Sequence, residues 1–589
     1  MGRYYLKTGE YARAKEQFES SLVRDEKQRN AELLLADYIG LGLAFEGLND
    51  YQKAKEYFQK GIDFIERQRS AIGGMEREKI FKAKVMGFSR LEPYEGMVRV
   101  LMKGKIAGYE SKSLQYAERA KSRTFVESLA TRALKGKSPE DAAILAKEKE
   151  IQQNILVLEK RARVMGELGE KAPVGELEKI LSELKKSREE YERFIKEVKL
   201  KNSELASLIS VEPPSIEHIQ SLLEPDVSLI EYFITEEKTY AWLVKKDEIK
   251  ACEISLGRKA LEDKVNDFLL PNILNGRMLA QIPRDIILLP TDTAAKVPSE
   301  SEKEQISRKF YEMEKEFNTL LWSPIEKDIN TKRLVIVPHG VLHKVPFSTL
   351  SNGEKILAER YTLSFLPAAS VLEFVVKKRK TGEGGLIAFA NPEVEAEALP
   401  NAETEVKSIG ALFPKKTVYT QKEATETRAQ VQSPDYNYIH FACHGVFNEL
   451  QPMQSGLALT KDAANDGRLR VHEIFGLDLK HANLVTLSAC NTALCKIRGG
   501  DDLVGLSRGF IYAGTPSLLA TLWAVNDVST SILMREFYNN LKQGMSKPEA
   551  LRQAQLKLKT RLNISILTSG LHLKSSATGN NKEIVDFII

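Results

Sequence analysis

The spacing of apolar positions changes three times along this chain, and each change predicts a different kind of element. Through about the first 130 residues, apolar side chains recur at three and four, the period of helices that bury one stripe. Tyr11, Ala14 and Phe18 make one such set, and Tyr51, Ala54 and Phe58 repeat it 40 residues later. In both, a small alanine lets two helices approach while aromatic rings fill the groove between them. Gly9 and the pair Asn49-Asp50 stand just before, where a turn between helices is expected. Tyr109, Tyr116, Ala117 and Ala120 make a third, weaker set. Residues 136–210 keep the helical spacing in a run rich in Glu, Lys and Leu. That run predicts a long antiparallel helical hairpin with its break near Pro173 and Gly175.

Beyond Pro213-Pro214 the period falls to two. VSLIEYFIT and KTYAWLVKK alternate apolar and polar residues and predict a β-hairpin, after which residues 257–330 return to helix. From there short, continuously apolar runs alternate with helical segments: LVIVP (334–338), LIAFA (386–390), YIHFA (438–442), LVTLSA (484–489) and SLLATL (517–522). Such strands imply a parallel sheet covered by helices on both faces.

The expected organisation is therefore multidomain, since 589 residues exceed what one hydrophobic core holds. Helical repeats occupy 1–135, the helical hairpin 136–210, a β-hairpin with helices 220–330, and an α/β core with a mostly parallel sheet 331–560. Residues 561–589 form an atypical tail, expected to be truncated or disordered. The first region resembles the tetratricopeptide repeat, whose period is 34 residues, which makes it a surface for a partner or activator protein. The chain opens inside the first unit of that pattern, so upstream residues are expected.

Composition narrows the partners. The net charge of +5 is small for this length and gives no reason to invoke direct nucleic-acid or anionic-membrane binding. No run of 18 apolar residues predicts a membrane span, and a cytoplasmic location is expected. The four cysteines, Cys252, Cys443, Cys490 and Cys495, are too few for a disulfide framework and lack the paired spacing of a zinc site. No cofactor or metal is expected.

Parallel α/β sheets collect reactive groups at the carboxyl ends of their strands. YIHFACHG ends in His444-Gly445, and LVTLSACNT ends in Cys490-Asn491. If those two strands are neighbours, an imidazole and a thiol meet at one edge of the sheet. A thiol with a pKa of about 8.5 is only a few per cent thiolate at neutral pH. A nearby imidazole raises that fraction or takes the proton during attack, and then protonates the leaving amine. Gly445 has no side chain to keep its N–H from a developing oxyanion, and the Cys490 N–H is a second donor. Such donors lower a barrier by about 3–4 kcal/mol. Spacing alone leaves the plain alternative standing, because a cysteine or histidine that ends a core strand is more commonly packing.

The segments YIHFACHGVFNELQPMQSGLALT, DGRLRVHEIFGLDLKHANLVTLSACNTA and GGDDLVGLSRGFIYAGTPSLLATLWAVNDVST resemble the CHAT domain, as does VIVPHGVLHKVPFSTL. The resemblance runs over about residues 330–558, in the family's order. It implies a caspase-like fold of the caspase, gingipain and separase group. It also implies a cysteine endopeptidase in which the histidine of the HG pair, His444, and the cysteine of the SAC motif, Cys490, form the catalytic dyad. Gly445 and Cys490 would supply the oxyanion-hole amides. Some relatives act as effectors alongside RNA-guided complexes and others in cell differentiation or cell death, so a signalling or RNA-guided effector complex is a candidate partner.

Other residues carry weaker expectations. His440 sits deeper on the same strand and reads as core, while His339 and His343 flank a loop after the 334–338 strand. Cys443 and Cys495 read as a buried and an ordinary thiol. Asp501 and Asp502 are candidates to receive a basic substrate side chain, or to cap the helix that follows, which is the favoured reading. Trp523 is a candidate pocket wall, and Asp527 an N-cap. The chief competing function is a catalytically silent scaffold built on repeats and an inert caspase-like fold. A thiol acyltransferase using the same dyad is the third.

Overall fold

Helices form where the spacing of three and four predicts them. The computed structural model describes residues 1–28, 31–70, 84–121, scattered positions within 147–165, 173, 175–201, 214–274, 308, 311–377, 384–396, 398–446, 452–488, 496–498, 502–504, 506–520 and 527–561. The chain divides into two units, Met1–His218 with Arg498–Asp502, and Ile219–Ile497 with Leu503–Ile589.

In the first unit, helices Tyr11–Gln28, Ala31–Gly47, Tyr51–Ser70, Glu92–Gly104 and Tyr109–Ala120 each pack on the next. Ala14 and Ala54 are wholly buried at the repeat positions, and Phe18 and Phe58 are buried beside them. The rings enter notches left by glycines on the neighbouring helix. A Cβ at Gly42 would stand 2.5 Å from the Phe58 ring, and one at Gly40 2.5 Å from Phe18. The turns fall where expected: Gly9 and Asn49 both take left-handed backbone, and the Asp50 carboxylate accepts the Lys53 N–H to cap the next helix. A buried ion cluster crosses the repeats, with Arg99 bound to Glu46 at 2.8 Å and to Glu92 at 2.7 Å.

Helix Glu176–Lys201 follows Gly175, whose φ of 78° turns the chain at the expected break. Asn154 donates to Ser187 over 3.1 Å, and Arg161 pairs with Glu176 at 3.3 Å. As the first partner advances along the chain the second recedes, which is the antiparallel pairing of a hairpin. Much of 122–174 lies outside the described residues.

The second unit holds two five-stranded sheets. One has the order Ile249–Ile254, Thr239–Val244, Val227–Ile234, Arg333–Val337, Thr362–Phe365, antiparallel through its first three strands and parallel through its last three. The other has the order Leu518–Ala520, Leu484–Leu487, Tyr438–Ala442, Leu386–Pro392, Lys416–Gln421, and is parallel throughout. The expectation of a single parallel sheet from residue 334 onward is corrected. The run at 334–338 pairs with the β-hairpin strand instead, Val227 opposite Arg333. A strand that is apolar on both faces carries no alternation to specify its neighbour.

Both faces of the parallel sheet are covered. Ile439 and Phe441 point into a cluster with Phe389, Leu506, Phe510 and Leu518. Tyr438 points the other way, against Phe413, Phe537, Tyr538 and Leu551. Helix Lys547–Arg561 contributes Leu551, Ala554 and Leu558 to that second cluster. Its polar side reaches the short helix Leu357–Arg360 that precedes the last strand of the first sheet: Arg552 donates to the carbonyls of Ala358 at 2.7 Å and Glu359 at 3.0 Å, and Lys559 pairs with Glu359 at 2.7 Å. The expected tail lies outside the described residues apart from Arg561.

Candidate active site

Two apolar strands lead, in sequence, to the two candidate residues. Tyr438–Ala442 and Leu484–Leu487 are parallel neighbours at the centre of the sheet, paired from Tyr438 opposite Leu484 to Phe441 opposite Leu487. The Ser488 N–H closes that last rung, donating to the Phe441 carbonyl over 2.8 Å. His444 follows Phe441 by three residues, and Cys490 follows Leu487 by the same count.

His444 is half-buried where the parallel sheet gives way to a small antiparallel one, formed by Gly445–Val446, Gly456–Ala458 and Arg468–Arg470. The His444 carbonyl accepts the Ala458 N–H over 2.9 Å, while Gly445 stands opposite Leu457. In an antiparallel ladder, that bond marks Gly445 and Leu457 as a non-hydrogen-bonded pair. The Gly445 N–H is thus not engaged by Leu457. Glu426 holds the turn of this flap, accepting the Gly467 N–H over 2.8 Å. Burial, then the charge of Glu473, pushes the Glu426 carboxyl up to about 6.

The remaining sequence candidates separate. Cys490, Cys495, Asp501 and Trp523 lie outside the described residues. Asp502 opens a short strand, Asp502–Val504, and the next helix begins at Leu506, so the expectation that Asp502 caps that helix is corrected. Asp527 is the first residue of helix Asp527–Lys542, next to its expected capping position. Cys443 is buried on the apolar Ile439 face and forms no disulfide. His339 is buried in the other sheet, accepting the Ile234 N–H at Nδ1 over 2.9 Å and lying 4.7 Å from the Phe233 ring. His343 is buried in the turn just beyond.

His440 is buried as expected, but in a polar network. Its Nε2 lies 2.7 Å from Glu405 and its Nδ1 3.2 Å from the Tyr538 hydroxyl, which is 2.8 Å from the Thr486 hydroxyl. Burial pushes the Tyr538 phenol well above its ordinary value and keeps it protonated. Glu405, Thr486 and Tyr538 were invisible to local pattern, because each sits at an otherwise ordinary position of an amphipathic helix or an apolar strand.

Comparison with known proteins gives the following likenesses. Residues 313–572 match the CHAT domain. Tetratricopeptide repeat protein 28 of Homo sapiens is 22% identical over 274 residues, covering 38% of this chain, and its Mus musculus counterpart is 24% identical over the same length. The match takes in 11% of either relative. Among solved structures, the Saccharomyces cerevisiae separase–securin complex aligns with a TM-score of 0.42 and 11% identity, over 94% of this chain and 45% of that one. The Arg-specific cysteine proteinase gingipain R aligns with a TM-score of 0.29 and 10% identity, over 52% of this chain and 72% of its own.

Proposed function

This chain carries a CHAT domain across residues 313–572, with tetratricopeptide-like helices at its N-terminal end, and from that premise we propose that it is a cysteine endopeptidase directed to protein substrates through its repeats. Cys490 attacks the scissile carbonyl. His444 takes the thiol proton and passes it to the leaving amine, and water then releases the acyl group from the sulfur. The amides of Gly445 and Cys490 hold the oxyanion.

One observation carries the reading. His444 and Cys490 each follow, by three residues, the last paired rung of adjacent parallel strands. Neighbouring strands lie about 4.8 Å apart, a gap that an imidazole and a thiol side chain can close. The Gly445 N–H, left out of the ladder to Leu457, supports the oxyanion role. Asp501, Asp502 and Trp523 are assigned to the substrate side of the site, Asp502 because the helix-capping alternative is gone. No helix among the described residues is long and apolar enough to cross a membrane.

A silent adaptor is the second reading, favoured by curated relatives that are named for their repeats. Incubating wild type and Cys490→Ala with a cell proteome and reading new protein N-termini by mass spectrometry separates the two. Cleavages present with wild type and missing with the variant support the peptidase. Identical N-termini from both, with partner capture intact and the Cys490 thiol inert to an electrophilic probe, support the adaptor.

A further inference from the structure

Beneath the candidate dyad, one phenol is bonded to both of the strands that would carry it. His440 and Thr486 stand directly opposite each other in the parallel pairing, and the Tyr538 hydroxyl lies within hydrogen-bond distance of both. His444 lies four residues beyond the first, and Cys490 four beyond the second. With Glu405 as a carboxylate, His440 donates from Nε2, which leaves Nδ1 as the acceptor of the Tyr538 O–H. The phenol oxygen then accepts from Thr486. Every member of this chain has a partner, and the donors all run in one direction from strand to helix to strand to helix.

We infer that Tyr538, Thr486, His440 and Glu405 are positioning residues that key the register of the two central strands and so set the height at which His444 meets Cys490. The inference rests on the peptidase reading of that dyad. YIHFA and LVTL are buried on both faces, so hydrophobic pattern does not by itself resist a slip of two residues, which keeps every side chain on its own face. Such a slip displaces one strand end by about 6.6 Å, beyond the reach of an imidazole to a thiol. A polar lock at one rung penalises the slipped pairing, because it would leave a buried hydroxyl, imidazole and carboxylate unpartnered. An all-apolar contact of the same volume would pack as tightly without specifying the rung.

The test uses Tyr538→Phe, which keeps the ring, and Thr486→Val, which nearly keeps the shape. Leu558→Ala, from the apolar cluster on the same side of the sheet, controls for simple loss of packing. Amide hydrogen exchange over residues 438–442 and 484–488 reads the register without reference to chemistry. The rate of Cys490 alkylation by iodoacetamide against pH reads the dyad. Expected is exchange at the Ser488 amide faster by about tenfold in both lock variants, with the His444-dependent part of the alkylation profile reduced and Leu558→Ala leaving that profile in place. Unchanged exchange and an unchanged profile in both variants overturn the inference, as does an equal effect from Leu558→Ala. A wild-type profile that His444→Ala does not alter overturns the dyad reading itself, and with it the purpose assigned here, whatever the exchange data report.

Discussion

The Ser488 N–H donates to the Phe441 carbonyl across 2.8 Å and closes the last rung of the central strands, Phe441 opposite Leu487. Pairing is therefore maintained to within three residues of His444 and two of Cys490. General acid–base chemistry calls for groups carried on such regular elements.

His444→Ala is expected to lower peptide cleavage at neutral pH by about 100-fold or more, the usual contribution of a positioned base. Cys490→Ala is expected to abolish it. Alkaline pH restores part of the activity of His444→Ala, because solvent then supplies the thiolate, and none of the activity of Cys490→Ala. A pH profile of cleavage at one mapped site checks both statements.

Gly42→Ala places a methyl carbon 2.5 Å from the Phe58 ring. Overpacking of this kind costs about 1–3 kcal/mol, so the first unfolding transition of the helical unit moves to lower urea. Phe58→Leu gives the methyl more room, and Gly42→Ala made in that background costs measurably less. Equal costs in the two backgrounds refute the notch.

Arg99 is buried between Glu46 and Glu92. Burial pushes the Glu46 carboxyl up, but Arg99 and Lys103 outweigh it and hold the group below the usual carboxylate range. A depressed folded pKa stabilises above the unfolded value of about 4.3, and that stability is lost as pH falls through the folded value. Arg99→Ala leaves the Glu46 carboxylate without its chief partner and is expected to cost about 3–5 kcal/mol at neutral pH. The deficit shrinks in acid. Circular dichroism melts at the two pH values read the difference.

Glu426 has the opposite sign. Its folded pKa of about 6 lies above the ordinary carboxylate value, so its contribution is fullest below the unfolded pKa and is lost as pH rises through 6. Glu426→Gln retains an acceptor for the Gly467 N–H without the charge. The flap of that variant is expected to resist amide exchange better than wild type at pH 8, with the advantage gone in mild acid.

How far the sequence foretold this varies by residue, for physical reasons. Ala14, Phe18, Ala54 and Phe58 announced their helices because their spacing alone decides which face is buried. The strands through Ile336, Phe389, Phe441 and Val485 were equally plain, since few soluble segments are apolar on both faces. Which strand neighbours which was not, as the pairing of Arg333 with Val227 shows. Partnership there depends on contacts a hundred residues away. The flap was missed because Gly445–Val446 and Gly456–Ala458 are too short for any period to register. The network at His440 was missed because its partners Glu405 and Tyr538 are 35 and 98 residues distant.

Helix Lys547–Arg561 bonds through Arg552 to carbonyls nearly 200 residues earlier, while Leu551 and Leu558 close the core beneath the central strands. During synthesis the two sheets can each begin to form as they leave the ribosome, yet neither has its last wall until this helix has emerged. A nascent chain is consequently held short of this finished fold until helix Lys547–Arg561 has left the ribosome. For a proposed peptidase this delays competence until both sheets and helix Lys547–Arg561 have emerged together.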